Sequence, residues 1–412
     1  MKRIPVKRAA ALVDVRGARP DDLPYLGLEH IEGGTGRVTV DPEAKVDGLV
    51  SFFHETDVLF GKLRPYLAKV AAPGFDGVAS TEALVLRPLR GVDRDFLRYS
   101  LLAPDFIDRI NGATFGVKMP RADWRTVGRQ EILLPSLDHQ RAIAAFLDAE
   151  TARIDALIKK KTRLLALGSE RIDALIEDSL SGGGSNTRLG RHVSILPGYA
   201  FPSSDFSRDP QDVRLLRGVN VAPGAIRWDE VVYWPTYRLQ EVERFILKKG
   251  DIVLGMDRPW ISRGIRVAEL KDTDAPALLL QRVCRIKARK LLRSKFLMML
   301  LRSRRFLNYF EPILTGVSVP HISSEQIGAF RFDLPELATQ DQCISSFSIE
   351  EARIERIKQT TEQSIDCLKE FRSALITAAV TGQIDPEEWR RHGNINRRLD
   401  GIKADMAVEA AE

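Results

Sequence analysis

The sequence predicts a mixed α/β (α+β) protein, with two globular modules in a pseudo-twofold arrangement joined by two long antiparallel helices that form a coiled coil. Three observations lead to this prediction. The chain has 412 residues, well above the usual size of a single domain. The sequence matches itself at a shift of 200 residues. Each copy ends in about forty residues without proline, in which apolar residues recur every three to four positions.

Composition excludes several classes of protein. Hydrophobic residues make up 44% of the chain and charged residues 29%, which excludes a largely disordered or fibrous chain. The three cysteines have no CxxC spacing, so neither a disulfide framework nor a zinc cluster is supported. Charge at Asp14 and Arg16 precludes a secretion-type apolar region, and no apolar run is long enough to span a membrane. We therefore expect a cytoplasmic protein without membrane association.

Positive charge is concentrated in one part of the chain. The whole sequence has a formal net charge of +6, which by itself says little about partners. Residues 188–340 hold 25 basic and 16 acidic residues, so this segment nets +9 and the remainder −3. Nucleic-acid binding needs such clustering, because neutralising phosphates releases condensed counterions. A solvated basic face would have the same composition, so charge alone leaves both interpretations open.

The repeat indicates a duplication of whole modules, since its period far exceeds that of solenoid repeats. At a shift of 200, the matches include Phe96-Leu97 with Phe296-Leu297, Leu134-Pro135 with Leu334-Pro335, and Gly182 with Gly382. Upstream, at a shift of 194, Asp57 to Gly61 with Arg64-Pro65 matches Asp251 to Gly255 with Arg258-Pro259. The loops that follow these two predicted strands are therefore expected to be homologous.

Local patterns divide each copy into a strand-rich part and a helical part. Short aliphatic runs separated by Gly and Pro predict α/β modules, and a Gly/Ser-rich stretch between the copies predicts a flexible connector. The final residues lose periodicity and are predicted to be peripheral. In chain order the predicted segments are a first module (1–137), a first long helix (138–181), a linker (182–187), a second module (188–338), a second long helix (339–382) and a C-terminal tail (383–412).

Both predicted helices carry an apolar stripe that recurs near every seven residues. A continuous helix of about forty residues extends roughly 60 Å, too long to bury its stripe against one small module. We therefore predict that the two helices pack against each other. The alternative is that each helix only closes the core of its own module. The candidate pairing residues are Leu147, Ile154, Leu157, Leu165, Ile172, Leu175, Phe347, Ile354, Ile357, Ile365, Leu368 and Leu375.

Sequence motifs for several kinds of chemistry are absent. The chain has no GxxxxGK[ST] phosphate loop, which argues against ATP hydrolysis, and no [DN]PP[YFW] run of the kind that holds a flipped base against a methyl donor. The six histidines show no metal-ligand spacing. The glycine cluster from Gly33 to Gly36 lacks a following lysine and is predicted to be a turn. No catalytic residue and no metal site is therefore predicted.

Strings at the starts and ends of the two long helices carry a resemblance to a known family. They are Leu133-Leu134-Pro135 with Gln140, Phe146-Leu147 and Thr151 through Ile158 in the first copy, and Leu334-Pro335 through Ile357 with Val380 through Asp385 in the second. With two variable modules, each followed by a long helix, the chain resembles the specificity (S) subunit of type I restriction-modification systems over nearly its whole length. It departs from the family pattern at His139 and Thr339, where an acidic residue often precedes the glutamine.

The resemblance implies a non-catalytic protein whose modules are target-recognition domains, each reading one half of an asymmetric, bipartite site on double-stranded DNA. It implies that the long helices, as the central and distal conserved regions, set the spacing between the domains. The same helical residues become candidates for binding two modification (methyltransferase) subunits. S-adenosylmethionine, ATP and magnesium are then expected only in partner subunits, the ATP-dependent restriction (translocase/nuclease) subunits included, and no cofactor is expected in this chain.

The predicted DNA-binding residues lie in loops where a side chain can project. Phosphate contacts would position the protein and base-edge contacts would carry sequence information, but composition cannot separate the two. An arginine in such a loop could instead form a salt bridge within its own module. The candidates are Lys62, Arg64, Lys118 and Arg121 in the first copy, and Arg217, Arg258, Arg263, Arg266 and His321 in the second.

Two other classes of function remain open from the sequence. A helical adaptor that binds proteins without reading DNA would share every feature of the helices. An unrecognised DNA-modifying enzyme is disfavoured by the missing motifs, and activity of the purified chain alone would reveal it.

Overall fold

The computed structural model describes residues 2–42, 44, 46, 48–114, 119–261, 264–314 and 320–392. The described residues fall into two compact units. Unit 1 takes those of 1–162 and 362–412, and unit 2 takes those of 163–361. Both boundaries fall within long helices, so each unit contains one half of each long helix, a division that differs from the predicted segments.

Unit 1 builds two four-stranded sheets and one strand pair. The sheet orders are β2-β9-β6-β7, which is antiparallel, and β3-β5-β8-β4, in which β4 and β8 run parallel. β1 pairs with β10. The elements are β1 (Lys2–Pro5), β2 (Ala10–Val13), β3 (Arg16–Ala18), β4 (Tyr25–Leu26), β5 (Leu49–Phe53), β6 (Val58–Gly61), β7 (Val70–Ala71), β8 (Gly77–Ser80), β9 (Ala83–Pro88), α1 (Arg94–Leu102), α2 (Pro104–Gly112), α3 (Trp124–Arg129), β10 (Glu131–Leu134) and α4 (Leu137–Ser179), whose second half belongs to unit 2.

Unit 2 repeats this plan. Its antiparallel sheet has the order β12-β23-β18-β21, its mixed sheet the order β16-β13-β22-β17, and β11 pairs with β24. The elements are β11 (Ser185–Arg188), β12 (Val193–Pro197), β13 (Val213–Leu216), β14 (Val221–Ala222), β15 (Ala225–Ile226), β16 (Tyr233–Trp234), β17 (Ile246–Leu247), β18 (Ile252–Gly255), β19 (Trp260–Ile261), β20 (Gly264–Ile265), β21 (Val267–Glu269), β22 (Ala277–Leu279), β23 (Val283–Ala288), α5 (Ser294–Arg302), α6 (Arg304–Leu314), α7 (Ser324–Ala329), β24 (Arg331–Leu334) and α8 (Leu337–Val380), whose second half belongs to unit 1.

The repeated aspartates explain part of the sequence repeat. Asp57, fully buried, accepts a hydrogen bond from the His54 amide at 2.8 Å and two from the Arg87 guanidinium at 2.8 Å. Asp251 likewise accepts from the Lys248 amide at 3.0 Å and pairs with Lys287 at 3.0 Å. In both units the carboxylate therefore closes the turn before a central strand and ties it to the neighbouring strand.

The two long helices pack together within each unit. In unit 1, Leu147, Ile154 and Leu157 from the first half of α4 share one hydrophobic cluster with Leu368 and Leu375 from the second half of α8. In unit 2, residues from the second half of α4 share a cluster with residues from the first half of α8, among them Ile172, Leu175, Phe347 and Ile354. The first half of one helix thus meets the second half of the other, which confirms the predicted antiparallel coiled coil.

The same clusters include residues of the modules, so the helices close the module cores as well as pairing. Ile365 is buried, whereas Leu165 and Ile357 are only half-buried. The pairing prediction and the alternative of core closure are therefore both part of the structure, because one broad apolar stripe serves both contacts.

Polar residues interrupt the stripe in unit 1. Arg372 and Asp155, both more than nine-tenths buried, form an ion pair at 3.0 Å. Arg37 also contacts Asp155, at 2.8 Å, and Arg372 donates a hydrogen bond to the Gly34 carbonyl at 2.7 Å. The glycine cluster is a turn, as predicted, and its backbone ties the module to α8. At the corresponding places unit 2 has Glu355 and the apolar Ile172, so the buried pair belongs to unit 1.

One glutamine joins each long helix to its module. The buried Gln140 side chain accepts from the Asp93 amide at 2.8 Å and donates to the Gly91 carbonyl at 3.0 Å and the Pro135 carbonyl at 2.9 Å. In unit 2, Gln340 makes the same three bonds: it accepts from the Arg293 amide at 2.9 Å and donates to the Leu291 and Pro335 carbonyls at 3.0 and 2.9 Å. A buried amide with every bond satisfied fixes the angle at which the chain enters the helix.

The predicted linker differs from the structure in part, and the predicted tail contains a further helix. Ser185–Arg188 forms β11 against β24, so three residues of the predicted linker belong to a strand, as Lys2–Pro5 does in unit 1. In the tail, α9 (Pro386–His392) places Trp389 against Phe146, with ring centroids 5.9 Å apart. The first part of the tail therefore packs on unit 1, because its tryptophan has an apolar surface to cover.

Candidate nucleic-acid interface

The loop after β6 in unit 1 is held by backbone hydrogen bonds to two other loops. The Lys62 amide donates to the Glu82 carbonyl at 2.8 Å, and the Ala122 amide donates to the Lys62 carbonyl at 2.9 Å. The Arg64 amide donates to the Pro120 carbonyl at 2.8 Å. Lys62, Arg64 and Arg121, three of the predicted candidates, are therefore brought together.

The loop after β18 in unit 2 has the same three bonds. The Met256 amide donates to the Arg282 carbonyl at 2.9 Å, and the Ile322 amide donates to the Met256 carbonyl at 2.9 Å. The Arg258 amide donates to the Pro320 carbonyl at 2.7 Å. The identical bonding pattern confirms that the loops are equivalent.

An exposed arginine sits at the same strained position in each loop. Arg64 has a φ of 51° and Arg258 a φ of 42°, in the left-handed region that residues other than glycine seldom adopt. Such a conformation costs about 1–3 kcal/mol and persists only where surrounding contacts hold it. Here the hydrogen bonds from the Arg64 and Arg258 amides to the Pro120 and Pro320 carbonyls hold this conformation. Both arginine side chains remain exposed.

The charges around the unit 1 loop are mixed. Arg121 forms an exposed ion pair with Glu82 at 2.8 Å. Burial, the largest effect, lowers the pKa of the Lys62 ammonium; Glu82 opposes this, whereas Arg121 and Arg16 add to it. Lys62 and Arg121 thus share one carboxylate, and Arg64 beside them is exposed.

The unit 2 loop reverses the positions of acid and base. Asp257 contacts Arg282 at 2.6 Å and the His321 Nδ1 atom at 2.5 Å. Burial raises the pKa of the Asp257 carboxyl, but the hydrogen bonds from His321 and Arg282 outweigh it, so the pKa lies below its ordinary value. The carboxylate therefore comes from the loop itself in unit 2 and from the turn before β9 in unit 1.

Two further candidates in unit 2 are engaged inside the module. Arg266 donates to the Val221 carbonyl at 3.0 Å and the Asp257 carbonyl at 3.1 Å, and burial lowers its pKa. Arg217 donates to the Glu230 carbonyl at 3.0 Å. Both guanidinium groups donate to backbone carbonyls of their own module, and Arg266 also lies within 3.5 Å of the Arg258 carbonyl.

Two candidates, Lys118 and Arg263, lie outside the described residues. Sequence reasoning missed three charged groups of these clusters: Glu82, Asp257 and Arg282. Glu82 and Arg282 occupy equivalent positions of the repeat at its shift of 200. This change of charge at one repeat position was the available signal.

The described part of the chain has no group of three or more His, Cys, Asp or Glu side chains placed to hold a metal ion. No helix within the described ranges is both long enough and apolar enough to cross a membrane. The candidate interface clusters contain arginine, lysine and histidine side chains, which can donate to phosphate oxygens and to base edges. They also contain carboxylates, which can only accept hydrogen bonds, for example from the amino groups of bases.

Comparison with known proteins points to one family. The chain is 38% identical over 159 residues to the EcoAI specificity subunit of a type I restriction enzyme from Escherichia coli, spanning 38% of this chain and 26% of that protein. It is 26% identical over 402 residues to the MjaVIII specificity subunit of a type I restriction enzyme from Methanocaldococcus jannaschii, spanning 92% of this chain and 91% of that protein. The chain thus spans about a quarter of the first relative and nearly all of the second.

A solved structure shares the fold. A chain from a type I R-M system superposes with a TM-score of 0.67 at 17% identity, covering 92% of this chain and 97% of that chain. No family model matches the sequence.

Proposed function

Because the chain is a relative of the type I restriction enzyme specificity subunits along nearly its whole length, we propose that it is the DNA-recognition subunit of a type I restriction-modification complex. The observation that carries this proposal is the full-length match to a specificity subunit, combined with two equivalent loop clusters, one in each unit. The chain contributes the choice of sequence and no chemical step.

The two clusters suit the reading of two different half-sites. Exposed Arg64 and Arg258 can donate to phosphates, or bidentately to guanine in the major groove. Carboxylates such as Glu82 and Asp257 can accept from the amino group of cytosine. Because the acid and its cations exchange places between the units, the two half-sites are expected to differ in sequence.

Two linked DNA-binding modules bind DNA more tightly than either module does alone. Once one module is bound, the second contact becomes intramolecular and its effective concentration depends on whether the spacing fits. We expect the long helices to set the spacing between the two modules, so an unread stretch of DNA should separate the half-sites.

The partners follow from the same proposal. Two modification subunits bind the long helices and carry S-adenosylmethionine, and restriction subunits supply ATP- and magnesium-dependent translocation and cleavage. This chain holds none of these cofactors, and we expect the assembly in the cytoplasm with the DNA that it modifies.

The test is to map modified adenines in cells that carry the chain with its modification subunit. We expect one bipartite motif with an unread spacer. Arg64→Glu should weaken selection of one half-site and Arg258→Glu selection of the other, whereas Arg90→Glu and Arg208→Glu, at exposed arginines outside the clusters, should leave the motif unchanged. Absence of any sequence-selective modification or DNA retention with partners present would favour the adaptor, and modification by the chain alone would favour the enzyme.

A further inference from the structure

In both units, the exposed arginine of the loop cluster begins the same series of residue types. The four residues from Arg64 are arginine, proline, tyrosine and leucine, and the four from Arg258 are arginine, proline, tryptophan and isoleucine. The two residues before each arginine differ in type, with Lys62-Leu63 in unit 1 and Met256-Asp257 in unit 2. Each loop therefore keeps an arginine, a proline, an aromatic and an aliphatic residue in that order, next to positions that have changed.

The aliphatic residue that ends each series is exposed to solvent. Leu67 is 40% exposed and Ile261 is 45% exposed. Neither belongs to a hydrophobic cluster formed by the described residues. A single exposed aliphatic residue is common on protein surfaces. Here one occurs at the same repeat position in both units, and core packing does not account for this recurrence.

The local backbone differs between the two loops. Leu67 ends a 3-10 helix, Pro65–Leu67, in which its amide donates to the Arg64 carbonyl at 2.9 Å. Ile261 ends strand β19 and is paired with Gly264 of strand β20. A 3-10 helix and a hairpin do not share a backbone requirement for an aliphatic residue at this place. The feature that the two loops share is the exposed side chain itself.

Each aliphatic residue follows a cation that has no acidic partner. Arg64 and Arg258 are exposed, and neither forms an ion pair with another described residue, since the cluster carboxylates pair with other cations. Charge complementarity therefore favours a polyanionic duplex as the occupant of this surface. In the major groove, guanine presents two acceptors to an arginine and thymine presents a methyl group to an apolar side chain.

The spacing within each series fits this pair of contacts. Three residues extend about 6 Å in a 3-10 helix and about 10 Å in an extended strand. Since neighbouring base pairs are about 3.4 Å apart, the aliphatic residue reaches within about three base pairs of the group that the arginine contacts.

We propose that Leu67 and Ile261 each contact the C5-methyl group of a thymine in the major groove, one in each half-site. The proposal rests on the DNA-recognition function proposed above and adds an apolar contact to the charged candidates. Each thymine lies within about three base pairs of the contact made by Arg64 or Arg258. The two aliphatic side chains are then specificity-determining residues, because a methyl group is present on thymine and absent from the other three bases.

The test is a thermodynamic cycle on the complex of the full-length chain with its modification subunit. Fluorescence anisotropy at one fixed salt concentration measures binding to a duplex with the motif mapped in cells, and to duplexes in which single thymines are replaced by uracil. We expect one uracil in each half-site to weaken binding about fourfold, the contribution of one buried methyl group. Leu67→Ala should weaken binding to the thymine duplex by a similar factor and remove the effect of the uracil in its half-site. Ile261→Ala should do the same for the other half-site.

Leu89→Ala and Leu291→Ala are the matched controls. Leu89 is 40% exposed, as Leu67 is, and Leu291 is 58% exposed. Each follows the end of a strand, β9 or β23, whose first residue comes directly after Glu82 or Arg282 of the loop cluster. The controls thus lie at the opposite end of the strand from the cluster. Both should bind DNA as the unaltered chain does and keep the fourfold effect of uracil.

The outcomes separate the methyl contact from DNA recognition in general. The methyl contact is overturned if no uracil weakens binding, or if the effect of uracil persists in Leu67→Ala and Ile261→Ala. It is also overturned if these variants weaken only the assembly with the modification subunit, which would make the surface a protein contact. In each of these cases sequence-selective binding by the unaltered complex still stands. If the unaltered complex does not prefer the mapped duplex to a scrambled one, the DNA-recognition function fails and the methyl contact fails with it.

Discussion

The glutamine at the start of each long helix offers the sharpest test of how this fold is held together. Replacing Gln140 by leucine keeps the side chain near its size but leaves the Asp93 amide and the Gly91 and Pro135 carbonyls without their partner. Each buried group left unsatisfied costs about 1–3 kcal/mol. Because these groups lie in loops that can regain some water, we take the low end of the range for all three, about 3 kcal/mol in total.

Amide hydrogen exchange measures this loss at the place where it occurs. A cost of ~3 kcal/mol corresponds to roughly a hundredfold faster exchange of the Asp93 amide if local opening carries all of it. Gln340→Leu should do the same to the Arg293 amide in unit 2, which accounts for the repeat of this residue in the sequence. Gln363→Leu, at an exposed position of α8, is the control. Protection of Asp93 within threefold of the unaltered chain would refute the reasoning.

Three more predictions concern the helices and the unit 2 cluster. Arg372→Met leaves the buried Asp155 with only its exposed partner and should lower the free energy of unfolding by about 2–3 kcal/mol in urea titrations; an unchanged midpoint would contradict it. Ile365→Pro should disrupt α8 at a cost of about 3 kcal/mol or more and abolish binding of modification subunits in size-exclusion assays, whereas intact assembly would count against the helix as their platform. Although burial opposes it, hydrogen bonding depresses the pKa of Asp257 below 3.8, so its stabilising contribution is complete above that pH and falls away as the pH drops through the depressed value. Asp257→Asn should remove that acid-side loss from thermal unfolding curves, and an unaltered pH profile would argue that the contact with His321 adds nothing.

Much of the candidate site could be predicted from the sequence because its loops lie in repeated segments. The match at a shift of 194 placed Arg64 and Arg258 at equivalent positions, and their common backbone geometry bears this out. The contact of Asp257 with His321 joins residues 64 positions apart, and no local pattern reports such a pairing. Arg266 is a candidate for DNA contact by its residue type and its place in a loop. In the structure its guanidinium donates to the Val221 and Asp257 carbonyls, which the sequence did not indicate.

The sequence alone determined the duplication, the two long helices and their pairing. Hydrophobic periodicity can be read from neighbouring residues, and the repeat is found by comparing the sequence with itself. It also pointed to the resemblance to specificity subunits, because Leu134-Pro135 with Gln140 recurs as Leu334-Pro335 with Gln340 where each module joins its long helix. Only the tertiary structure decided which charged side chains contact one another and that Arg372 and Asp155 pair inside unit 1. These outcomes depend on distances between residues far apart in the chain, where a change of one side chain alters the packing without altering the periodicity.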